Sequence, residues 1–179
     1  MNPKLIYIDA GHGGTDPGAV GANAREKDIN LAVALQVGRE LTQRGFAVCY
    51  SRTRDMRMTV AERARAANKA KAAAFVSIHC NSATNKAARG AETFAYSRIS
   101  KGYDLAKLIQ RNLVNTTDTP CRGTKTANFA VLRETAMPAA LVELGFLSNK
   151  IDEQFLLDSQ WQREAAAAIA DGVAEYFAL

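Results

Sequence analysis

Histidine is scarce in this chain, and both copies follow short apolar runs typical of buried strands. The sequence has 179 residues and two histidines, His12 and His79. His12 lies in a loop rich in glycine, aspartate and proline after the apolar run at residues 5–8, and His79 ends the run at residues 73–78. Glycine and proline favour irregular, shaped backbone, so this first loop is a typical place for chemistry in an α/β protein.

Two glutamates accompany these histidines. Glu26 closes the glycine-rich loop, and Glu143 follows the apolar run at residues 139–142. A buried, unpaired charge costs on the order of several kcal/mol, so a partner is expected near Glu143. Two imidazoles and one carboxylate form a common catalytic zinc set with an open position for water, and a further, free glutamate can serve as general base. A single histidine beside an apolar strand is more often a hydrogen-bonded core residue, and that alternative stays open for each one.

The elements that must position these residues alternate along the chain. Short apolar runs predict strands at residues 5–8, 46–51, 73–78, 92–96, 129–132 and 139–142. Apolar spacing predicts helices after Glu26, from Thr59 to about residue 71, over residues 105–113, and over residues 165–177 at the end of the chain. Residues 115–128 are expected to form a loop. The pattern predicts an α/β fold with a mostly parallel central sheet of about six strands, helices on both faces, and a single domain over residues 1–179.

Helix starts are predicted from capping signals. Thr59 with Glu62 and Ser159 with Gln162 have the spacing of a capping box, and Asp28 is a candidate cap for the first helix. In an open parallel sheet the carboxyl ends of the strands form one rim, where ligands bind. His12, His79 and Glu143 all lie at such ends, so they can meet although they are far apart in sequence.

The composition, and the mismatches to known binding motifs, argue against several other classes of protein. Hydrophobic residues make up 47% and charged residues 23%, as in ordinary globular domains, and the net charge is +5. The basic residues are scattered without interleaved aromatics, which argues against a nucleic-acid partner. The glycine-rich loop has Asp16 and Pro17 where a dinucleotide-binding loop would enter its helix, and Asp9 and Asp16 would repel a phosphate.

Cysteine usage and hydropathy add further expectations. Cys49, Cys80 and Cys121 are an odd number and are widely separated, so a disulfide framework is not expected. The first residues lack the apolar core of an export signal, and no apolar run of about 18 residues predicts a membrane span.

Three longer motifs carry a family resemblance. They are IDAGHGGTDPGAVG followed by REKD, then ANKAKAAAFVSIHCNS, then RGTKTANFAVLRETAMPAALVELGFLSN, and all of them lie within residues 5–149. In this order they resemble the zinc-dependent N-acetylmuramoyl-L-alanine amidases of the Amidase_3 family, which cut peptidoglycan. The terminal helix matches as well, so the resemblance covers essentially the whole chain.

The resemblance implies a role for each candidate residue. His12, Glu26 and His79 would hold Zn²⁺, and Glu143 would be the catalytic acid and base. The implied reaction is hydrolysis, by zinc-activated water, of the amide that joins the lactyl group of N-acetylmuramic acid to L-alanine. Cys80 stands where relatives often have alanine, and its side chain is expected to point away from His79. Asn128 and Arg133 are candidates for contacts to peptide carboxylates, or are simply solvated.

The resemblance also sets expectations for partners and regulation. The substrate would be peptidoglycan, the protein a monomer, and its place of action the cell wall outside the cytoplasm, periplasmic or extracellular, although the chain carries no export signal. Some relatives carry a long inserted helix that plugs the zinc site, and residues 97–104 are too few for one. The alternatives are another zinc amidohydrolase, a wall-binding module with an inactive site, and, last, a nucleic-acid binder.

Overall fold

One six-stranded sheet organises the protein. In a computed structural model, which describes residues 2–178, the strand order is β2-β1-β3-β6-β4-β5. The strands are β1 (Leu5–Ala10), β2 (Ala47–Tyr50), β3 (Ala74–Asn81), β4 (Ala91–Ala95), β5 (Cys121–Thr126) and β6 (Ala139–Phe146). The first four in spatial order are parallel, whereas β4 is antiparallel to β6 and β5 is parallel to β4. The mostly parallel sheet expected from the sequence is confirmed.

Helices cover both faces of the sheet, again as expected. They are α1 (Glu26–Gln43), α2 (Val60–Lys69), α3 (Lys101–Thr117), α4 (Ala130–Arg133), α5 (Lys150–Leu157) and α6 (Ser159–Ala178). The apolar residues of α1, α3 and α6 form the larger core with Ile6, Ile8, Val76 and Ile78. Those of α2 and α4 pack with Tyr7 and Phe75 on the other face. Within residues 2–178 no helix combines the length and apolar character needed to cross a membrane.

The segment before β6 differs from the prediction. Residues 115–128 were expected to form a loop, but α3 continues to Thr117 and residues 121–126 form the edge strand β5. Residues 129–132 were expected to form a strand, but α4 occupies Ala130–Arg133. The strand prediction was wrong because a run of four apolar residues fits one helical turn as well as a strand. The helix α5 was not predicted.

The caps are partly as expected. Thr59 and Glu62 form the predicted capping box, with both reciprocal hydrogen bonds present. The predicted capping box at Ser159 and Gln162 was wrong. Asp158 caps this helix instead, because its Oδ1 accepts hydrogen bonds from the backbone N–H groups of Gln160 and Trp161. The predicted Asp28 cap was also wrong, since α1 begins two residues earlier, at Glu26.

Candidate functional site

Three of the four candidate residues lie side by side at the sheet, with His12 just beyond β1 and His79 and Glu143 in the second halves of β3 and β6. The strand at residues 139–142 was predicted to end before Glu143, but β6 continues to Phe146, so Glu143 lies within it. His79 and Glu143 are direct partners in the parallel pairing of β3 with β6. His12 follows β1 by two residues and has a φ of 61°, in the left-handed region of backbone conformation. Glu26 arrives from the other side of the loop as the first residue of α1.

Two imidazoles and one carboxylate form a tight cluster there. One ligand-type atom from each of His12, Glu26 and His79 lies within 4.8 Å of the others. Glu26 Oε1 lies 2.9 Å from His79 Nδ1, and Glu26 Oε2 lies 3.3 Å from His12 Nε2. The other nitrogen of His12, Nδ1, is 2.8 Å from Asp16 Oδ2, which orients the ring. The three side chains can converge on one cation.

Two glycines leave room for the cluster. A Cβ at Gly11 would lie 2.2 Å from His79 Cε1, so the imidazole packs against bare backbone. Gly18 has a φ of +66°, and a Cβ there would lie 2.5 Å from Glu26 Oε2 and 2.7 Å from His12 Cδ2. The glycines of the loop are therefore required by the close approach of these side chains.

Glu26 is buried, and its carboxylate accepts several hydrogen bonds. Its carboxylate accepts the backbone N–H of Ala19 at 2.7 Å and that of Cys80 at 3.0 Å, and an amide N–H of Asn30 at 3.2 Å. Burial alone would raise the pKa of Glu26, but its hydrogen bonds with the two histidines lower that pKa well below the usual range. The group is an anion at any ordinary pH.

The pKa values of the two histidines are raised, whereas that of Glu26 is lowered. The hydrogen bond to Glu26, assisted by Asp16, raises the pKa of His12 to about 9 in the metal-free protein. Burial would lower the pKa of His79, but the hydrogen bond to Glu26 and nearby carboxylates raise it overall. A negative pocket that attracts protons in this way also attracts a cation, which would replace them.

Glu143 is the exception among these carboxylates. Burial raises its pKa to about 7. Its Oε2 atom is buried and has no hydrogen-bond partner among residues 2–178. The partner expected from the sequence is therefore absent for this oxygen, and the raised pKa reduces the cost of burial because the neutral form is favoured. A carboxyl group with an unpaired oxygen and a pKa near neutrality, beside a cation site, has the properties expected of a general base.

Comparison with known proteins decides the family. The family of N-acetylmuramoyl-L-alanine amidases described as Amidase_3 matches residues 6–175. The chain belongs to this amidase family. The reaction that defines the family, and that this chain carries out, is hydrolysis of the amide between the lactyl group of N-acetylmuramic acid and L-alanine.

Individual relatives agree with this assignment. The protein YqiI of Bacillus subtilis (strain 168) is 42% identical over 97% of this chain and 85% of its own length. The N-acetylmuramoyl-L-alanine amidase LytC of the same organism is 36% identical over 97% of this chain but only 36% of its own length. An N-acetylmuramoyl-L-alanine amidase structure from Clostridium difficile 630 superposes with a TM-score of 0.96 at 37% identity, covering 99% of this chain and 98% of that one.

Two buried arginines hold the start of the loop that follows β1, and neither was predicted from the sequence. Arg63 of α2 pairs with Asp9 at 2.6 Å and donates to the carbonyl of His12 at 2.7 Å. Arg52 donates to the carbonyls of Ala10 at 3.0 Å and Gly11 at 3.1 Å. A signal was present, because Asp9 directly follows the apolar run at residues 5–8, and a buried carboxylate that stays ionised requires a partner.

Two other expectations can be placed in the structure. Cys80 is buried in the larger core, and its side chain faces away from His79, as expected. Asn128 and Arg133 are exposed and pair with each other, with Arg133 Nη1 donating to Asn128 Oδ1 at 2.6 Å. A contact of either with substrate stays a prediction.

Proposed function

We propose that a zinc ion held by His12, Glu26 and His79 serves the amidase reaction of this chain, with Glu143 as general base. The observation that carries the proposal is the clustering of three ligand atoms within 4.8 Å beside a buried, unpaired carboxylate oxygen. Two histidines and one carboxylate match a common catalytic zinc set, which leaves a position for water and substrate. When bound, zinc polarises the scissile carbonyl and lowers the pKa of water from 15.7 toward about 7.

The protein's own residues then handle the proton. Glu143 accepts a proton from water as the water oxygen attacks the lactyl carbonyl carbon, and a C–O bond forms. The same carboxyl group delivers that proton to the amide nitrogen, so the C–N bond breaks and the stem peptide leaves as a neutral amine. Asp16 keeps the ring of His12 in place, and the hydrogen bonds of Glu26 with the two histidines, together with the backbone N–H of Ala19, keep its carboxylate ionised.

The setting of the reaction belongs to the same proposal. The substrate is the glycopeptide of the cell wall, so we place the activity outside the cytoplasm, in the periplasm or at the extracellular wall. Residues 1–179 would act as a single catalytic domain and as a monomer. A different zinc amidohydrolase is less consistent with the family match, and a wall-binding module with an inactive site would not need an intact cluster and a free Glu143.

The experiment compares two glutamine variants. Glu143→Gln removes the basic oxygen but no ligand, so we expect it to retain zinc and to lose activity by roughly 10²–10⁴-fold. Glu26→Gln removes a ligand, so its zinc content should fall together with activity. Elemental analysis of the purified variants and mass spectrometry of products from digested peptidoglycan measure both quantities.

Specific outcomes would overturn these roles. Loss of zinc in Glu143→Gln with retention in Glu26→Gln would reverse the assignment. Near-normal turnover of zinc-loaded Glu143→Gln would show that Glu143 is not the base. Wild-type protein that stays fully active after complete removal of metal would end the zinc proposal.

A further inference from the structure

A row of charged side chains leads from the metal cluster to the edge of the sheet. Glu143 is the direct partner of His79 in β3 and also of Glu92 in the antiparallel pairing with β4. Directly paired residues project from the same face of a sheet. Glu92 therefore lies on the face of the candidate site, one strand farther from the metal cluster than Glu143.

Two cations continue this row because β5 carries a bulge. Ala91 pairs with Cys121 but Thr93 pairs with Thr124, so β5 has one residue more than β4 in this interval. Gly123, with a φ of +85°, lies in the extra length. Residues 122 and 125 would face opposite sides of a regular strand. With the bulge they share one face, and Arg122 and Lys125 both donate to Glu92 Oε2.

In the cluster of Glu92, Arg122 and Lys125, positive charges outnumber negative ones. Glu92 is a single buried anion, and its other oxygen accepts from Asn81 at 2.8 Å. Arg122 and Lys125 bring two positive charges, and their side chains remain 35% and 41% exposed. The guanidinium of Arg122 is held 4.7 Å above the ring of Phe146, which limits its motion. Among residues 2–178, Glu92 is the one hydrogen-bond partner of Lys125 Nζ, so two of its donors remain free.

We propose that Arg122 and Lys125 bind a carboxylate of the peptide stem, so that stems with free carboxylates are preferred to stems whose carboxyl groups are amidated. This inference rests on the proposed function, since it places the stem along the row from Glu143 toward β5. An excess positive charge, fixed by a buried anion and open to solvent, is the arrangement that binds a carboxylate with charge-assisted hydrogen bonds. Glu92 holds the two cations in place.

The distances suit a short peptide. Neighbouring strands lie about 4.8 Å apart, so β5 is about 10 Å from β6, where Glu143 hands its proton to the leaving nitrogen. An extended peptide advances about 3.3 Å per residue, so the pair lies within reach of the first three or so residues after the scissile bond. A stem whose carboxylates are amidated would lose this interaction.

The test uses two soluble substrates and one principal variant. The substrates are N-acetylmuramoyl tripeptides that are identical except that all stem carboxyl groups are free in one and amidated in the other. For Lys125→Met we expect KM for the free acid to rise roughly tenfold with kcat nearly unchanged, the size of one lost charge-assisted hydrogen bond. KM for the amidated substrate should not change. Lys125→Arg should restore most of the loss.

Matched measurements separate this role from a structural one. Lys107→Met removes an exposed lysine from α3, which packs on the opposite face of the sheet, and should leave both KM values unchanged. Zinc content and thermal midpoint are measured for every variant. If Lys125→Met changes KM equally for both substrates, or for neither, the inference is overturned. Hydrolysis of both substrates by the wild type would in that case leave the proposed function standing. Wild-type protein that cleaves neither substrate nor wall would instead contradict the proposed function.

Discussion

At the scale of single residues, two glutamates of the same site have opposite environments. Glu26 is hydrogen-bonded to both histidines and to backbone N–H groups, and these bonds hold its pKa well below the usual range. Glu143 is buried without a partner for Oε2, and its pKa rises to about 7. A ligand must stay ionised, whereas a proton carrier must change its charge near the working pH. The difference in hydrogen bonding therefore separates the two roles.

The raised pKa of Glu143 has a consequence for stability. The native protein binds this proton more tightly than the unfolded chain, so stability is lost as pH rises from about 4.5 to about 7. In metal-free protein, Glu143→Gln should therefore raise the free energy of unfolding at pH 8 by up to about 3 kcal/mol. Urea denaturation of chelator-treated protein measures this change.

The same pair of proteins at low pH is the control. At pH 4.5 Glu143 is protonated in the wild type as well, so the two unfolding curves should nearly coincide. A stabilisation of equal size at both pH values would mean that packing of the amide, and not the charge of Glu143, accounts for it.

At the scale of elements, the loop after β1 works because glycine lets its backbone approach the ligands. Gly11→Ala places a Cβ 2.2 Å from His79 Cε1, and the ring must move. We expect zinc affinity to fall roughly 10–100-fold, as for other changes that misorient a ligand. Competition with a zinc-binding dye measures it. Gly45→Ala is the matched control, because no atom lies within 4 Å of its Cβ and only its φ of +85° is strained. It should cost about 1 kcal/mol of stability and leave zinc affinity unchanged.

The helix α2 holds the same loop through one buried ion pair. Arg63→Met leaves Asp9 buried without its 2.6 Å partner and removes the donor to the carbonyl of His12. We expect a loss of about 3–5 kcal/mol in the free energy of unfolding, measured in urea. Adding Asp9→Asn to this variant should recover part of the loss, because the uncompensated charge is then gone. A loss below about 1 kcal/mol in Arg63→Met would contradict this account.

The strength of the sequence signal differs between elements. The strands β1, β3 and β6 were predictable because their apolar runs are continuous, as in strands buried on both faces. The edge strand β5 reads CRGTKT, and its polar, glycine-containing pattern is that of a loop. Its strand conformation depends on pairing with β4, which a local pattern does not contain. The helix α4 is too short for helical periodicity to be visible.

At the scale of the whole molecule, the sheet order explains why the cluster was predictable and the cation pair was not. Parallel β1, β3 and β6 bring their carboxyl ends to one rim, so a rule about strand ends suffices for His12, His79 and Glu143. Glu92, Arg122 and Lys125 reach the same face from strands that run the opposite way, through a bulge. Neither the reversal nor the bulge follows from sequence spacing.

The connection after β4 supports a prediction about regulation. β4 ends at Ala95 and α3 begins at Lys101, so five residues, 96–100, join them, and no inserted helix lies there to cover the metal cluster. We expect the protein to release stem peptides from purified cell wall without any added protein, and to do so as a monomer by light scattering. Mass spectrometry of the released peptides measures the activity. Products that appear only after a partner protein is added, with the zinc site already loaded, would show that access to the site is controlled by something other than an insertion between β4 and α3.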